Sequence, residues 1–322
     1  VVVAAAFQWL KIPKEELSAL AGALRRRLRR ESFDMAEQSA LRGLLQAWWP
    51  LVLSVSVREC YVYIDYLFAS ALGEGSLSLL SYADRLWRMF LGVMIVPGFL
   101  VLLPRWTQLI SKRDEELKSR LLVDINLLIV LTAPLAAFLL VCGGDLAVLF
   151  YGEKSFTSEQ VYLMRLTTVA YSGSLLIAAM SMCFERLLVS VGNTIAIGKI
   201  NLALLLLNAV LDFVFTKFLA LPGIALATTV VFAAQLFLFF KAISEHDWFP
   251  RAEFLICFRK LAQAFVIVLL LLFILSSNYQ AGIITLSVWL VISFVSMLCL
   301  TFLFRLPCSG ALLSIAATVI RR

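Results

Sequence analysis

Residues 194–218 read TIAIGKINLALLLLNAVLDFVFTKF. From Ile200 to Phe215 the run is broken by only three polar side chains, Asn201, Asn208 and Asp212. As a single helix the segment exceeds the about 20 residues needed to cross a bilayer. Its Leu and Val residues do not alternate with polar ones, whereas a transmembrane strand shows about ten alternating residues. Asn208 and Asp212 are four residues apart, hence one turn from each other on the same helix face. A charge at that depth costs about 2.5–3.5 kcal/mol on insertion scales, so it is a functional candidate by default. The segment reads as a transmembrane helix with one chemically active face.

The rest of the chain is written in the same way. Of its 322 residues 62% are hydrophobic and 15% charged, with a mean hydropathy of +0.94. Soluble domains are about half apolar and about a quarter charged. A soluble globular domain, a disordered chain and a nucleic-acid wrapper are all excluded. Windows long enough to span a membrane run from Leu41 to Leu72, Leu77 to Leu103, Leu121 to Phe150, Val161 to Val191, Thr194 to Phe218, Leu221 to Phe240, Leu261 to Ser276 and Ala281 to Phe304. Turns punctuate them at Gly73-Glu74-Gly75-Ser76, Tyr151-Gly152-Glu153-Lys154, Gly192-Asn193 and Ser277-Asn278-Tyr279. The predicted class is all-α, a polytopic membrane helix bundle of eight spans. Residues 1–12 read as the last turns of a further helix, and no secretory signal pattern accompanies them.

Assigning loops alternately to the two sides collects 22 of the 28 Lys and Arg residues on one side. The positive-inside rule makes that side, which includes the C-terminus, cytoplasmic. The run Arg25-Arg26-Arg27-Leu28-Arg29-Arg30 falls in residues 13–40, a predicted basic cytoplasmic linker helix lying on the anionic leaflet. The net charge of +7 is thus a matter of orientation and membrane lipid, not of nucleic acid.

Polar residues within the spans cluster. The first full span carries Arg58, Glu59 and Asp65; the second carries Asp84, Arg85 and Arg88; the sixth offers Thr228 and Thr229. Counting about 1.5 Å per residue from the external helix ends puts Asp65, Arg85, Asp212 and Thr228 roughly 9–12 Å deep, in one layer. Two carboxylates, a carboxamide and a hydroxyl make a set of hard oxygen ligands suited to a small hard cation, with sodium the candidate. The competing reading is that Asn and Thr glue helices together while the acids pair with arginines. Asp84 precedes Arg88 by four, the favourable order for an intrahelical pair, which leaves Arg85 and Arg58 as cationic groups for phosphate or carboxylate.

Other chemistries are missing. The single histidine, His246, sits in a loop, and the six cysteines form no CxxC pair, so neither a histidine triad nor a disulfide framework is expected. Gly192 to Lys199 resembles a phosphate-binding loop but has five residues between its glycines instead of four, with Ile200 in place of Ser or Thr. Trp48, Trp49, Trp87 and Trp106 read as belt or packing residues.

Several segments resemble one family in order and spacing. Ile64-Asp65, Ala69-Ser70, Gly75-Ser76-Leu77-Ser78, Tyr82-Ala83-Asp84-Arg85-Leu86 and Leu102-Leu103-Pro104 look like the seventh and eighth helices of the bacterial lipid II flippases, the MurJ/MviN family. Leu149-Phe150-Tyr151-Gly152 with Phe156-Thr157, then Gly192-Asn193-Thr194, Asn208 with Asp212, and Gly223-Ile224-Ala225-Leu226-Ala227-Thr228 continue the match. The resemblance implies the second six-helix lobe (residues 41–242) of a multidrug/oligosaccharidyl-lipid/polysaccharide (MOP) type transporter, plus two additional helices and a cytoplasmic tail in residues 243–322. It implies a secondary transporter of the inner membrane, not an enzyme, that moves an undecaprenyl-pyrophosphate-linked peptidoglycan precursor by alternating access. The family's pyrophosphate arginine falls on Arg85, beside Arg88 and Arg58. Its sodium ligands fall on Asp65, Asn208, Asp212, the Ile224 carbonyl and Thr228. Arg88 departs from the Glu or Gln common at its position, and Ile195 follows Thr194 where a Pro is usual. The alternatives left open are a flippase for another polyprenyl-linked saccharide and an inactive remnant lacking the first lobe.

Overall fold

A computed structural model of the chain describes residues 49, 52, 56–112, 116–152, 156–276 and 282–320. The chain divides into two units, Val1–Trp49 and Pro50–Arg322. The predicted stub at residues 1–12, the basic linker at 13–40 and the turn at 277–279 lie outside the described residues.

The described residues of the second unit form helices α1 (56–70), α2 (Ser76–Met94), α3 (Val96–Lys112), α4 (Leu117–Tyr151), α5 (Ser158–Ser190), α6 (Thr194–Leu219), α7 (Leu221–Ile243), α8 (Arg251–Ser276), α9 (Ile283–Leu303) and α10 (Ser309–Ile320). Six of these, α4 to α9, are long and apolar enough to cross a membrane, and α2 with α3 make a seventh if counted as one bent span. The expected span Leu77 to Leu103 is therefore broken. Pro97, the second residue of α3, cannot donate a backbone hydrogen bond into the preceding turn, and the two helices meet at 44°. The short span expected at Leu261 begins ten residues earlier, at Arg251; Arg251, Glu253, Arg259 and Lys260 interrupt the apolar window there but not the helix.

Helix α4 is apolar on all sides and mostly buried, so it serves as the central post. Against it pack α5 on one flank and α8 with α9 on the other. Helices α5 and α7 pack most extensively on each other, and α6 packs chiefly on α7. Polar side chains tie these contacts together: Ser293 Oγ of α9 donates to the Pro134 carbonyl of α4 at 2.7 Å, and Thr229 Oγ1 of α7 donates to the Ala170 carbonyl of α5 at 2.9 Å. Two intramembrane acids do the same. Asp124 of α4 accepts from the Trp106 indole at 3.0 Å and from Arg105 at 3.3 Å, and Asp145 pairs with Arg165 at 2.6 Å. Trp106 is fully buried, a packing residue and not a belt residue.

Helices α6 and α7 are joined through Ala220, which adopts a left-handed backbone (φ 51°). Gly223, three residues on, has no side chain because there is no room for one: a Cβ there would lie 2.4 Å from the Phe215 carbonyl oxygen of α6. The hairpin is thereby closed at backbone contact distance. A small apolar core of Val57, Tyr61, Leu204 and Val231 joins α1 to this hairpin, separate from the main core built on α4 and α5.

Candidate functional site

On α1 the buried side chains recur at Val57, Tyr61, Asp65 and Ala69, one every turn. On α6 they recur at Ile197, Asn201, Leu204, Asn208 and Asp212, and on α7 at Ile224, Thr228, Val231, Gln235 and Phe239. Leu202, Leu206, Val210 and Phe213 cover the opposite, outward face of α6. The usual amphipathic pattern is inverted, with apolar groups outside and polar groups inside, as expected for a helix whose solvent is lipid. Three inward stripes thus converge, and each places a polar residue at two heights.

At the first height stand Asp65, Asn208, Asp212 and Thr228. Asn208 Nδ2 donates both to Asp65 Oδ1 (2.8 Å) and to Asp212 Oδ2 (2.9 Å). Thr228 Oγ1 lies 3.0 Å from Asp65 Oδ2 and 3.2 Å from the Ile224 carbonyl. All four side chains are buried, Asn208 and Asp212 completely. Two of their oxygens, Asn208 Oδ1 and Asp212 Oδ1, are buried without a hydrogen-bond partner among the described residues. Buried polar atoms nearly always find partners, so a pair of orphaned acceptors in one cluster asks for a ligand. Two carboxylates, a carboxamide, a hydroxyl and a backbone carbonyl are hard oxygen donors, and among the described residues no Lys or Arg pairs with either acid. The residues present fit a small hard cation. Sequence depth placed Arg85 in this layer, but Arg85 makes none of its contacts.

At the second height, two turns away along α6 and α7, the Tyr61 hydroxyl donates to the Asn201 carbonyl at 2.5 Å. Gln235 Nε2 donates to Asn201 Oδ1 at 2.9 Å, and Ser181 Oγ of α5 donates to Gln235 Oε1 at 2.9 Å. Leu204 and Val231 lie between the two layers and separate them. Three residues before Tyr61, within one turn, Arg58 forks onto Glu185 of α5 at 3.2 and 3.4 Å. From sequence Arg58 reads either as a cavity cation or as an arginine paired within the bundle; the structure pairs it, with a partner 127 residues away.

The expected Asp84–Arg88 pair forms, with Arg88 Nε 2.6 Å from Asp84 Oδ1. The same oxygen accepts from the Trp87 indole at 3.0 Å, and the Arg88 guanidinium lies over the Trp87 ring at 5.1 Å. Trp87 is buried and stacked on Tyr171. Arg85, on the exposed side of α2, has no hydrogen bond or ion pair among the described residues. Of the three candidate arginines it is the one with its donors uncommitted. Glu185, Gln235, Tyr61 and Ser181 were not singled out from sequence. Glu185 and Gln235 carried a signal, being polar residues in the middle of apolar runs.

The family model for the lipid II flippase MurJ matches residues 2–300 of the chain. A probable lipid II flippase MurJ from Buchnera aphidicola subsp. Baizongia pistaciae is 26% identical over 226 residues, covering 70% of this chain and 44% of that protein. One from Vibrio cholerae serotype O1 is 25% identical over 182 residues, covering 56% of this chain and 35% of that protein. A solved structure described as lipid II flippase MurJ in an inward closed conformation superposes with a TM-score of 0.68 at 19% identity, covering 85% of this chain and 57% of that one. The chain thus spans about half the length of the relatives it matches, and the structural likeness establishes the fold.

Proposed function

The chain belongs to the lipid II flippase MurJ family, and from that premise we propose that it forms the C-terminal lobe and two added helices of an inner-membrane transporter for a lipid-linked peptidoglycan precursor. In this reading residues 41–242 make the lobe, residues 243–322 the added helices and tail, and the basic loops face the cytoplasm. The observation that carries the proposal is the buried oxygen cluster of Asp65, Asn208, Asp212 and Thr228, with its two unmatched acceptors. Structural glue alone seldom leaves two acceptors of one cluster unpaired.

Asp65, Asn208, Asp212, Thr228 and the Ile224 carbonyl would hold sodium. The bound ion supplies positive charge against two buried carboxylates. The protein's own part is the arrangement: three of the four side chains come from the α6–α7 hairpin and Asp65 from α1. A conformer that keeps α1 on the hairpin keeps the site whole, and one that separates them dismantles it. Differential affinity of that kind is what biases one conformer over another.

Arg85 is the residue we assign to the substrate pyrophosphate. An exposed guanidinium within a membrane span is too costly against acyl chains, which marks its face of α2 as a wet one. The planar fork of arginine suits a bidentate phosphate contact. Asp84 and Trp87 pin Arg88 beside it, and Arg58, held by Glu185, contributes positive potential at lower cost than a bare cation.

The test uses the full-length protein expressed in cells depleted of their own flippase, with precursor in the outer leaflet as the readout. Arg85→Ala should abolish translocation while protein levels stay normal. Asp65→Asn should remove its sodium dependence. Unchanged translocation in both variants overturns the proposal.

A further inference from the structure

Tyr171 is a buried phenol that neither the oxygen cluster nor the arginines account for. It lies on α5 with 1% of its surface exposed, and a tyrosine hydroxyl buried to that degree usually has a partner. On one side the hydroxyl lies within hydrogen-bond reach of Thr228. Thr228 has a single proton. Given to Asp65 Oδ2 at 3.0 Å, it leaves the Thr228 oxygen able to accept from Tyr171 with a lone pair to spare for a cation. On the other side the Tyr171 ring stacks on Trp87 of α2, with centroids 6.1 Å apart and planes 21° from parallel. Trp87 also meets Phe232 edge-on at 5.7 Å, and Phe232 stands one turn from Thr228 on α7. The Trp87 indole donates to Asp84, the acid that holds Arg88. Trp87 fixes where Arg85 points as well. The two residues are two apart, so about 200° separates them around α2, and a buried Trp87 turns Arg85 to the opposite, exposed side. Asp65, Thr228, Tyr171, Trp87 and Asp84 thus form a chain in which each side chain meets the next.

We infer that Tyr171 is a positioning residue that couples the acidic layer to the arginine face of α2, so that a cation in the one and a phosphate anion on the other bind cooperatively. The inference rests on the sodium and pyrophosphate reading above and adds the residue that joins the two. Coupling between sites needs contacts that change with each ligand, not nearness alone. A shift of Thr228 toward a cation alters its bond to Tyr171. A rotation of α2 that turns Arg85 moves Trp87 against the Tyr171 ring. The sign follows from charge. Asp65 lies within electrostatic reach of Arg88, and its carboxylate weakens the pull of that guanidinium on an anion. Positive charge in the acidic layer removes that opposition, so each ligand tightens the other.

The experiment is calorimetric titration of the full-length protein in detergent with sodium chloride, choline chloride holding the ionic strength, at zero and at saturating inorganic pyrophosphate. In the unsubstituted protein pyrophosphate should tighten sodium about five-fold or more, and by linkage sodium should tighten pyrophosphate by the same factor. Tyr171→Phe keeps the ring on Trp87 and removes only the hydroxyl. Both ligands should still bind to it, with the factor reduced to below about two. General destabilisation would weaken the two ligands alike and leave that ratio intact. Thr229→Val is the control: it breaks the neighbouring α5–α7 bond to the Ala170 carbonyl and should leave the factor unchanged. An undiminished factor in Tyr171→Phe overturns the inference, as does an equal loss in Thr229→Val, which would assign the coupling to helix packing at large. A factor near one in an unsubstituted protein that binds both ligands overturns the inference and leaves the two sites standing. Failure of that protein to bind sodium or pyrophosphate at all overturns the sites, and the inference with them.

Discussion

The α1–α6–α7 interface holds two polar layers, built from the same three inward stripes and divided by Leu204 and Val231. In the layer of Tyr61, Asn201, Gln235 and Ser181 no buried side-chain atom is left without a partner, whereas the layer of Asp65, Asn208, Asp212 and Thr228 leaves two oxygens unmatched among the described residues. The neutral layer pairs its side chains with one another; the acidic one keeps two acceptors unmatched. Identical helices and similar burial thus give a matched network at one height and, on the reading proposed above, a receptor at the other, and the difference lies in the inventory of donors and acceptors.

The largest expected effect separates the layers by their response to sodium. Sodium at about one hundred times its dissociation constant stabilises a protein by about 2.7 kcal/mol. That increment, read as a sodium-dependent rise in unfolding temperature, should be present in the unsubstituted chain and absent in Asp65→Asn. A rise of equal size in the variant would show that the acidic layer is not the receptor. Next comes Gly223→Ala. The added methyl must displace the Phe215 backbone and should cost about 1–3 kcal/mol, the range for overpacking, detectable as a lower unfolding temperature with or without sodium. Gln235→Leu orphans partners in the neutral layer. It should cost about 1 kcal/mol, equally at all sodium concentrations, and a sodium-dependent loss would blur the distinction between layers. The smallest effect belongs to Thr228→Val, which keeps shape but removes one neutral ligand and a bond worth about 0.6 kcal/mol. It should shift the sodium concentration for half-maximal stabilisation upward by a few fold while leaving the plateau intact.

Much of the acidic layer is legible in the sequence. Helical rise is constant, so counting residues from span ends puts Asp65, Asp212 and Thr228 at one height, and four-residue spacing puts Asn208 with Asp212 on one face. The same count puts Arg85 among them and cannot do otherwise, because depth fixes height along a helix and says nothing of direction around it until neighbours are known. Arg58 illustrates the second blind spot. Its partner Glu185 lies on a helix that pairing by proximity in sequence never reaches. The break between α2 and α3 is readable in Pro97, yet hydropathy averages across it because the flanking residues are apolar throughout.

The closed turn at Ala220 and Gly223 gives the acidic layer an uneven construction. Asn208, Asp212, the Ile224 carbonyl and Thr228 ride on a single covalent clip whose two limbs touch backbone to backbone. Asp65 arrives alone, on a rod seated by a handful of apolar contacts, the Tyr61–Asn201 hydrogen bond and the Arg58–Glu185 ion pair. A movement of that rod away from the clip would part Asp65 from Asn208 and Thr228 and spare the bonds within the clip, so the cluster would come apart like a hasp lifting from its staple, at one joint.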